Sequence, residues 1–408
     1  MTDFPEYRDA VHRLIHDIPK TPRRVFDDDE LLAKNKRVAE LFDNPQNTHP
    51  SVHVAGTSGK GSICYSVEAI LRAHGKRTGL LVSPHVYDIR ERIQLLGSYI
   101  RRDFFSKIFH EVDDTVVAHG ERLSYFEMTT MMGYVAFGHS DIDYQVIETG
   151  MGGRLDATNT ISRKDKVCVL AQIGLDHVEA LGHTLEKIAT QKAGIIQQGN
   201  HVIALKQAPE VMAVFEARAE EMGATLEWIE PAGAYEITNA RLTEAACRYV
   251  AERDGWQYAE DTARQALDNL AIPARFEKRI LNDHTVILDG AHNLQKLGGL
   301  VDRLERTNLE PVTFVLALGE QRDIIASLMV LKSAAKRVIA TEYFTEQQDI
   351  PTRPIGANVI VEAAHSLGIE CEAAASPSSA LAKAKTYPEP IVATGSFYLV
   401  SELDEFAR

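Results

Sequence analysis

The sequence predicts a two-domain α/β protein, each domain built on a mostly parallel sheet, and three observations carry that expectation. Short β-rich runs alternate with helical stretches along the chain, as parallel sheets with helical crossovers require. A Gly-rich turn holding a lysine joins one such run to a helix at 56–62. The 408 residues also exceed what one hydrophobic core usually serves, at roughly 100 to 200 residues per domain.

In chain order, the runs 51–55, 79–82, 144–147, 167–172 and 201–205 read as strands of the first domain. The helix opening at Lys60 places Ile63, Val67, Ile70 and Leu71 on one face. A second helix is expected over 184–192. At 269–274, Asn-Leu-Ala-Ile-Pro-Ala follows a helix-like stretch, and Pro273 disfavours its continuation. The boundary is therefore set at 1–271 and 272–408. The runs 285–288, 312–318, 337–341 and 391–394, with helical segments such as 294–305 between them, form the sheet of the smaller second domain.

Composition narrows the class of partner. Hydrophobic residues make up 45% and charged residues 25%, and no apolar run approaches the roughly 20 residues of a membrane helix. A formal net charge of -14 disfavours nucleic-acid and anionic-membrane surfaces, which are held by clustered Lys and Arg. Cys64, Cys168, Cys247 and Cys371 are widely spaced, which argues for core thiols over a disulfide framework or a structural zinc site. The start, Met1-Thr2-Asp3-Phe4-Pro5-Glu6, has neither a basic n-region nor an apolar h-region, so a cytoplasmic location is expected. Neither internal repeats nor low-complexity tracts are present.

Gly56-Thr57-Ser58-Gly59-Lys60-Gly61-Ser62 has the context of a phosphate cradle, after a strand and at a helix start. Glycines let backbone N–H groups converge on phosphate oxygens. Lys60 supplies a point charge and Ser62 a hydroxyl for magnesium, so ATP with Mg2+ is the expected co-substrate pair. The spacing departs from the general Walker pattern, because Gly61 stands between Lys60 and Ser62.

This loop resembles that of the folylpolyglutamate synthase and dihydrofolate synthase branch of the Mur ligase superfamily. Five further segments match in order: Ser83-Pro84-His85 continuing to Arg90-Glu91-Arg92-Ile93; Leu123-Ser124-Tyr125-Phe126-Glu127; Glu148-Thr149-Gly150 through Thr158-Asn159; Gly174-Leu175-Asp176-His177 continuing to Gln191-Lys192-Ala193-Gly194; and Leu288-Asp289-Gly290-Ala291-His292-Asn293. Thr394 to Leu399 echo the family more weakly. The resemblance implies a P-loop Mur-ligase-like first domain and a smaller Rossmann-like second one. It also implies a monomer that joins L-glutamate to dihydropteroate, to a reduced folate, or to both.

The resemblance further assigns roles. It makes Ser83, Glu148 and His177 magnesium ligands beside Ser62, and it puts Ser124, Tyr125, Phe126, Glu127 and Arg154 in the pterin and substrate site. It puts Arg275 on the phosphates and Asp289 on the ribose, with His292 beside them across the domain cleft. Lys60, Lys192 and His177 become the catalytic set, and Lys192 is the family's carbamylated lysine. A neutral amine of a buried lysine can capture carbon dioxide. Taken singly, each residue has a plainer reading. A Glu or Asp at a strand end, an Arg after a linker and a last-turn lysine are commonly surface charges, and Tyr125-Phe126 pass as core aromatics. An imidazole is also an unusual magnesium ligand, since that ion prefers oxygen.

Four positions depart from the family pattern: Gln191 for Glu, Ala274 for Gly, Leu294 for Pro, and Glu244 where an adenine-side asparagine is usual. No adenine contact is assigned on the sequence. The expected chemistry is activation of a carboxylate as an acyl phosphate, then attack by the glutamate amine, with the domains closing to exclude water. The alternatives are another Mur-type ligase acting on a cell-wall or amino-acid polymer, or a glutamate-independent P-loop ATPase. The absence of an Asn-Lys-x-Asp segment after the loop weakens a guanine-nucleotide switch.

Overall fold

The computed structural model describes residues 4–20, 29–281, 284–344 and 353–403. The Met1–Asp3 part of the N-terminal reading lies outside them. The chain separates into two compact units, residues 1–270 and 271–408.

Unit 1 is built on strands β1 Ser51–Ala55, β2 Thr78–Leu81, β3 Ile93–Leu95, β4 Ser98–Tyr99, β5 Tyr144–Glu148, β6 Val167–Leu170, β7 His201–Leu205 and β8 Thr225–Ile229. They form one sheet in the order β4-β3-β2-β5-β1-β6-β7-β8. Six strands run parallel, and β3 and β4 add an antiparallel edge. The central strands are buried along their whole length, which is why they read as mainly apolar runs, with the buried polar residues His53 in β1 and Gln145 in β5 as interruptions. On one face, Val52 and Val54 pack with Ile63, Val67, Ile70 and Leu71 of the helix Lys60–Ala73, as its apolar stripe predicts. On the other, helices Arg102–Ala118 and Tyr125–Gly138 pack at one end of the sheet, and Leu185–Ala193 and Pro209–Glu221 at the other.

Strand order positions the site. After β1 the chain crosses to β2 on one side of the sheet, and after β5 it crosses to β6 on the other. Neighbouring strands β1 and β5 therefore send their connections in opposite directions, opening a crevice at their carboxyl ends. Gly56 follows β1 and Glu148 closes β5, so both stand at that crevice.

Unit 2 carries β9 Glu277–Leu281, β10 His284–Leu288, β11 Val312–Leu316, β12 Ala335–Ala340, β13 Cys371–Ala373 and β14 Ile391–Thr394. Their order is β13-β12-β11-β14-β10-β9, parallel except for the β9–β10 pair. Its core gathers Leu297, Leu300 and Leu304 of the helix Leu294–Arg306 against Phe314, Leu316 and Val392. All four cysteines are buried and none is in a disulfide. Among the described residues, no helix is long and apolar enough to cross a membrane.

Candidate active site

The phosphate loop is held in place from three directions. Gly59 has φ +86, and a Cβ there would lie 2.7 Å from Asn239 Oδ1, so only glycine fits without strain. The N–H groups of Thr57 and Ser58 donate to the carbonyl of Gln172, at 2.8 and 3.4 Å. The Thr57 hydroxyl donates to the Gly174 carbonyl and accepts from the Gly174 N–H, both at 3.0 Å. The loop is thereby joined to the turn that carries Asp176 and His177.

Two lysines meet at the loop. Lys60 Nζ donates to the Gly56 carbonyl at 3.1 Å, and Lys192 Nζ donates to the same oxygen at 3.0 Å. Lys192 reaches it from the last turn of the helix Leu185–Ala193 and is buried. One carbonyl dipole facing two ammonium groups makes this end of the sheet strongly attractive to an anion.

Beside it, the buried Glu148 carboxylate accepts the Ser83 N–H at 3.0 Å, joining the ends of β5 and β2. The Ser83 and Ser62 hydroxyls and this carboxylate are hard oxygen donors of the kind magnesium prefers, so the donor set fits that ion. His177 is exposed, at φ +49, with its N–H on Asp176 Oδ1 at 3.1 Å. Phe126 packs on the turn after Glu148: a Cβ on Gly150 would fall 2.2 Å from its ring. Tyr125 is buried under the cations of Arg92 and Lys20, at 5.1 and 4.9 Å from the ring centroid. Ser124 caps the helix Tyr125–Gly138. Glu127 accepts its N–H at 2.7 Å and pairs with Lys34 at 2.7 Å, which makes this carboxylate a brace for the helix start. Arg154 lies against Gly194, donates its N–H to Gln191 at 2.7 Å and pairs with Asp29.

In unit 2, Arg275 stands between two residues of left-handed backbone, Ala274 and Phe276, both at φ +51. Asp289 holds this turn, accepting the N–H groups of Phe276 at 2.7 Å and Ala291 at 2.8 Å. Burial raises its carboxyl above the usual range, opposed by those N–H donors and by Arg275. The His292 Nδ1–H donates to the Gly290 carbonyl at 2.7 Å, leaving Nε2 to accept from Lys296 at 3.1 Å. The Arg275 guanidinium lies 5.6 Å from the Phe397 ring centroid, and His292 meets the same ring edge-on.

Sequence reasoning missed Asn239. It lies inside the helix Tyr235–Asp254, buried against Gly59, whereas Glu244 on that helix pairs with Arg248. The available signal was an asparagine six residues before Ala245-Ala246 on the same helix.

Together, a phosphate loop at the switch point of a mostly parallel sheet and an appended α/β unit define a protein of the Mur ligase type. Residues 54–228 match the Mur ligase middle domain and residues 271–406 the dihydrofolate synthetase C-terminal domain. In sequence and fold the chain is similar to the folylpolyglutamate synthase and dihydrofolate synthase family of that superfamily. It is 34% identical over 235 residues to a folylpolyglutamate synthase of Arabidopsis thaliana, a match covering 56% of this chain and 41% of that one. The first relatives matched are thus spanned over about half their length or less. A folylpolyglutamate synthase of Lacticaseibacillus casei is 28% identical, over 91% of this chain and 94% of its own. Mycobacterium tuberculosis folylpolyglutamate synthase complexed with ADP superposes with a TM-score of 0.84 at 25% identity, covering 99% of this chain and 98% of that one. The bifunctional folylpolyglutamate synthase/dihydrofolate synthase from Yersinia pestis, complexed with AMPPNP and Mn ion, gives 0.80 at 26%, covering 92% and 93%.

Proposed function

We propose that this chain is an ATP-dependent ligase that joins L-glutamate to the carboxylate of dihydropteroate, of a reduced folate, or of both, through an acyl phosphate. The observation that carries this reading is the meeting of Lys60 and Lys192 on the Gly56 carbonyl. It supports the reading because a phosphate loop cradling a nucleotide's terminal phosphates gains from cations beside it.

Each residue then has a task. The N–H groups of the loop and Lys60 hold the phosphates and spread the charge of the transferring phosphoryl group. Asn239, packed against Gly59, is the amide we assign to the nucleotide. Glu148, Ser83, Ser62 and His177 would hold magnesium, which supplies charge neutralisation when bound. Arg275 is a second phosphate-binding group, on a turn fixed by Asp289 with His292 beside it. Phe126, which is only partly buried, offers aromatic surface to a pterin, whereas Tyr125 is a core residue with no exposed surface and cannot contact substrate directly. Arg154 offers a guanidinium for a substrate carboxylate. Lys192 is buried at the loop, and a carbamate there would turn one of two neighbouring cations into an anion that orients the metal. Once the acid is activated, the glutamate amine attacks, and the tetrahedral species collapses to amide and phosphate.

Four buried cysteines outside any disulfide suit the reducing cytoplasm, where we place the protein as a monomer. The deciding experiment measures magnesium-dependent ADP release by the purified protein with L-glutamate, comparing 7,8-dihydropteroate with a tetrahydrofolate monoglutamate, with products weighed by mass spectrometry. Glutamylated product with either acceptor supports the reading, and with both it makes the enzyme bifunctional. ADP release with no glutamylated product from either acceptor defeats it.

A further inference from the structure

We infer that His53 is a positioning residue that sets the geometry of Glu148 and the turn after it through two threonine hydroxyls. His53 lies in the middle of β1, with no exposed surface, three residues before the phosphate loop. Its Nε2 is 2.9 Å from Thr158 Oγ1 and 3.0 Å from Thr149 Oγ1. Thr149 directly follows Glu148, and its N–H donates to the carbonyl of Val54, next to His53, at 3.0 Å.

The direction of each hydrogen bond follows from the acid at the far end. Thr158 donates both its hydroxyl, at 2.5 Å, and its N–H, at 3.0 Å, to Asp156 Oδ1. Asp156 Oδ2 accepts the Met151 N–H at 2.9 Å, capping the glycine turn from below. With its proton committed to a carboxylate, the Thr158 oxygen can only accept, so His53 Nε2 carries the proton and shares it with Thr149. The other ring nitrogen, Nδ1, has no hydrogen-bond partner among the described residues, consistent with a lone pair there. Burial, and secondarily Lys166, holds the imidazole well below its usual pKa, so it stays neutral and its single N–H is permanent.

Asp156, Thr158, His53 and Thr149 thus form a buried hydrogen-bonded line that ties the strand feeding the phosphate loop to the turn following Glu148. The line fixes where the Glu148 main chain ends relative to Gly56, without touching nucleotide or metal. It replaces an aliphatic residue in a sheet centre at the cost of burying polar groups, a cost offset only because each member from Asp156 to Thr149 is hydrogen-bonded. The activity arm of its test rests on the ligase reading; the binding arm does not.

The test compares His53→Leu, which removes the donor, with His53→Gln, whose amide nitrogen can reach the Nε2 position. Thr158→Val breaks the same line from its other side. Magnesium-dependent ADP binding is measured by calorimetry, the magnesium dependence of turnover by ADP release, and amide hydrogen exchange over 148–153 by mass spectrometry. His53→Leu is expected to weaken magnesium-dependent ADP binding about tenfold, raise the magnesium needed for half-maximal turnover similarly and speed exchange in the turn. His53→Gln is expected to recover most of each. Thr158→Val is expected to match His53→Leu and add little in the double variant. Folded His53→Leu or Thr158→Val protein with unchanged magnesium dependence overturns the inference, as does equal impairment of the Gln and Leu variants. If His53→Leu does not fold, Thr158→Val decides alone. If the wild type binds ADP with magnesium but does not ligate, the ligase reading fails and the binding arm still judges His53.

Discussion

Lys60 and Lys192 share one acceptor, the carbonyl oxygen of Gly56, at 3.1 and 3.0 Å. One lysine opens the helix after the phosphate loop, and the other closes a helix on the far side of the sheet. Two ammonium groups at one carbonyl repel each other unless an anion or a carbamate relieves them, which makes both lysines sensitive points.

Lys60→Ala is expected to lower turnover by roughly 10²- to 10³-fold, the usual cost of removing a preorganised electrostatic stabiliser. Lys192→Ala should fall comparably. If Lys192 carries a carbamate, added formate should restore part of the Lys192→Ala activity and none of the Lys60→Ala activity. Native mass spectrometry in labelled bicarbonate reads the modification directly, and a chain mass without it after equilibration removes the carbamate from the mechanism.

Gly150→Ala pushes a methyl group into the Phe126 ring, where the built Cβ lies 2.2 Å away. Overpacking of this kind typically costs about 1–3 kcal/mol, so the aromatic ring or the turn must shift. Steady-state kinetics should show the KM of the pterin acceptor rising by about tenfold or more, with the KM of ATP changed much less. Equal rises in both would remove Phe126 from the acceptor site.

Lys166 is fully buried, its amine donating to the Ile161 and Ile195 carbonyls at 3.2 and 2.8 Å, and burial lowers its pKa from 10.5 to about 8. Between those values the unfolded chain binds the extra proton, so this residue's contribution to stability improves as pH rises from about 8 towards 10.5. Below about 8 its full penalty is present, on the order of 3 kcal/mol. Urea unfolding of the wild type and of Lys166→Met at pH 7.5 and 9.5 checks the sign. The wild type should gain on the variant as pH rises, and a gap independent of pH would refute the shift.

Ala274 has φ +51, a region that costs a side chain roughly 1–2 kcal/mol relative to glycine. Ala274→Gly should therefore stabilise unit 2, and thermal unfolding should show Tm rising by a few degrees. A fall in Tm would mean that the greater freedom of glycine in the unfolded chain outweighs the strain.

The parallel core was legible because its strands are buried on both faces and so read as mainly apolar runs: β6 follows that rule throughout, and β1, β5 and β7 do so apart from polar residues such as His53, Gln145 and His201. The strands that escaped notice lie at the margins. Glu277-Lys278-Arg279-Ile280-Leu281 in β9 and Thr225-Leu226-Glu227-Trp228-Ile229 in β8 keep charged or exposed residues mid-strand, while β3, β4 and β13 span only two or three residues. The site divides in the same way. The glycine loop carries its geometry in its sequence, but Asn239 comes to Gly59 only through helix packing. Glu127 and Asp156 lie within recognisable segments, yet local sequence cannot tell a helix brace or a turn cap from a group that meets substrate.

The reciprocal bond between Thr57 and Gly174 bears on how this architecture can be rebuilt. Because one hydroxyl both gives to and takes from the same residue, Gly174, residues 56–62 and the turn at 173–177 are not separable parts. Transplanting the glycine loop alone into another scaffold would leave Thr57 and the N–H groups that rest on Gln172 without their seat. The portable unit is a discontinuous one, loop and partner turn together, which sets a lower bound on what a designer must copy to obtain the same cradle.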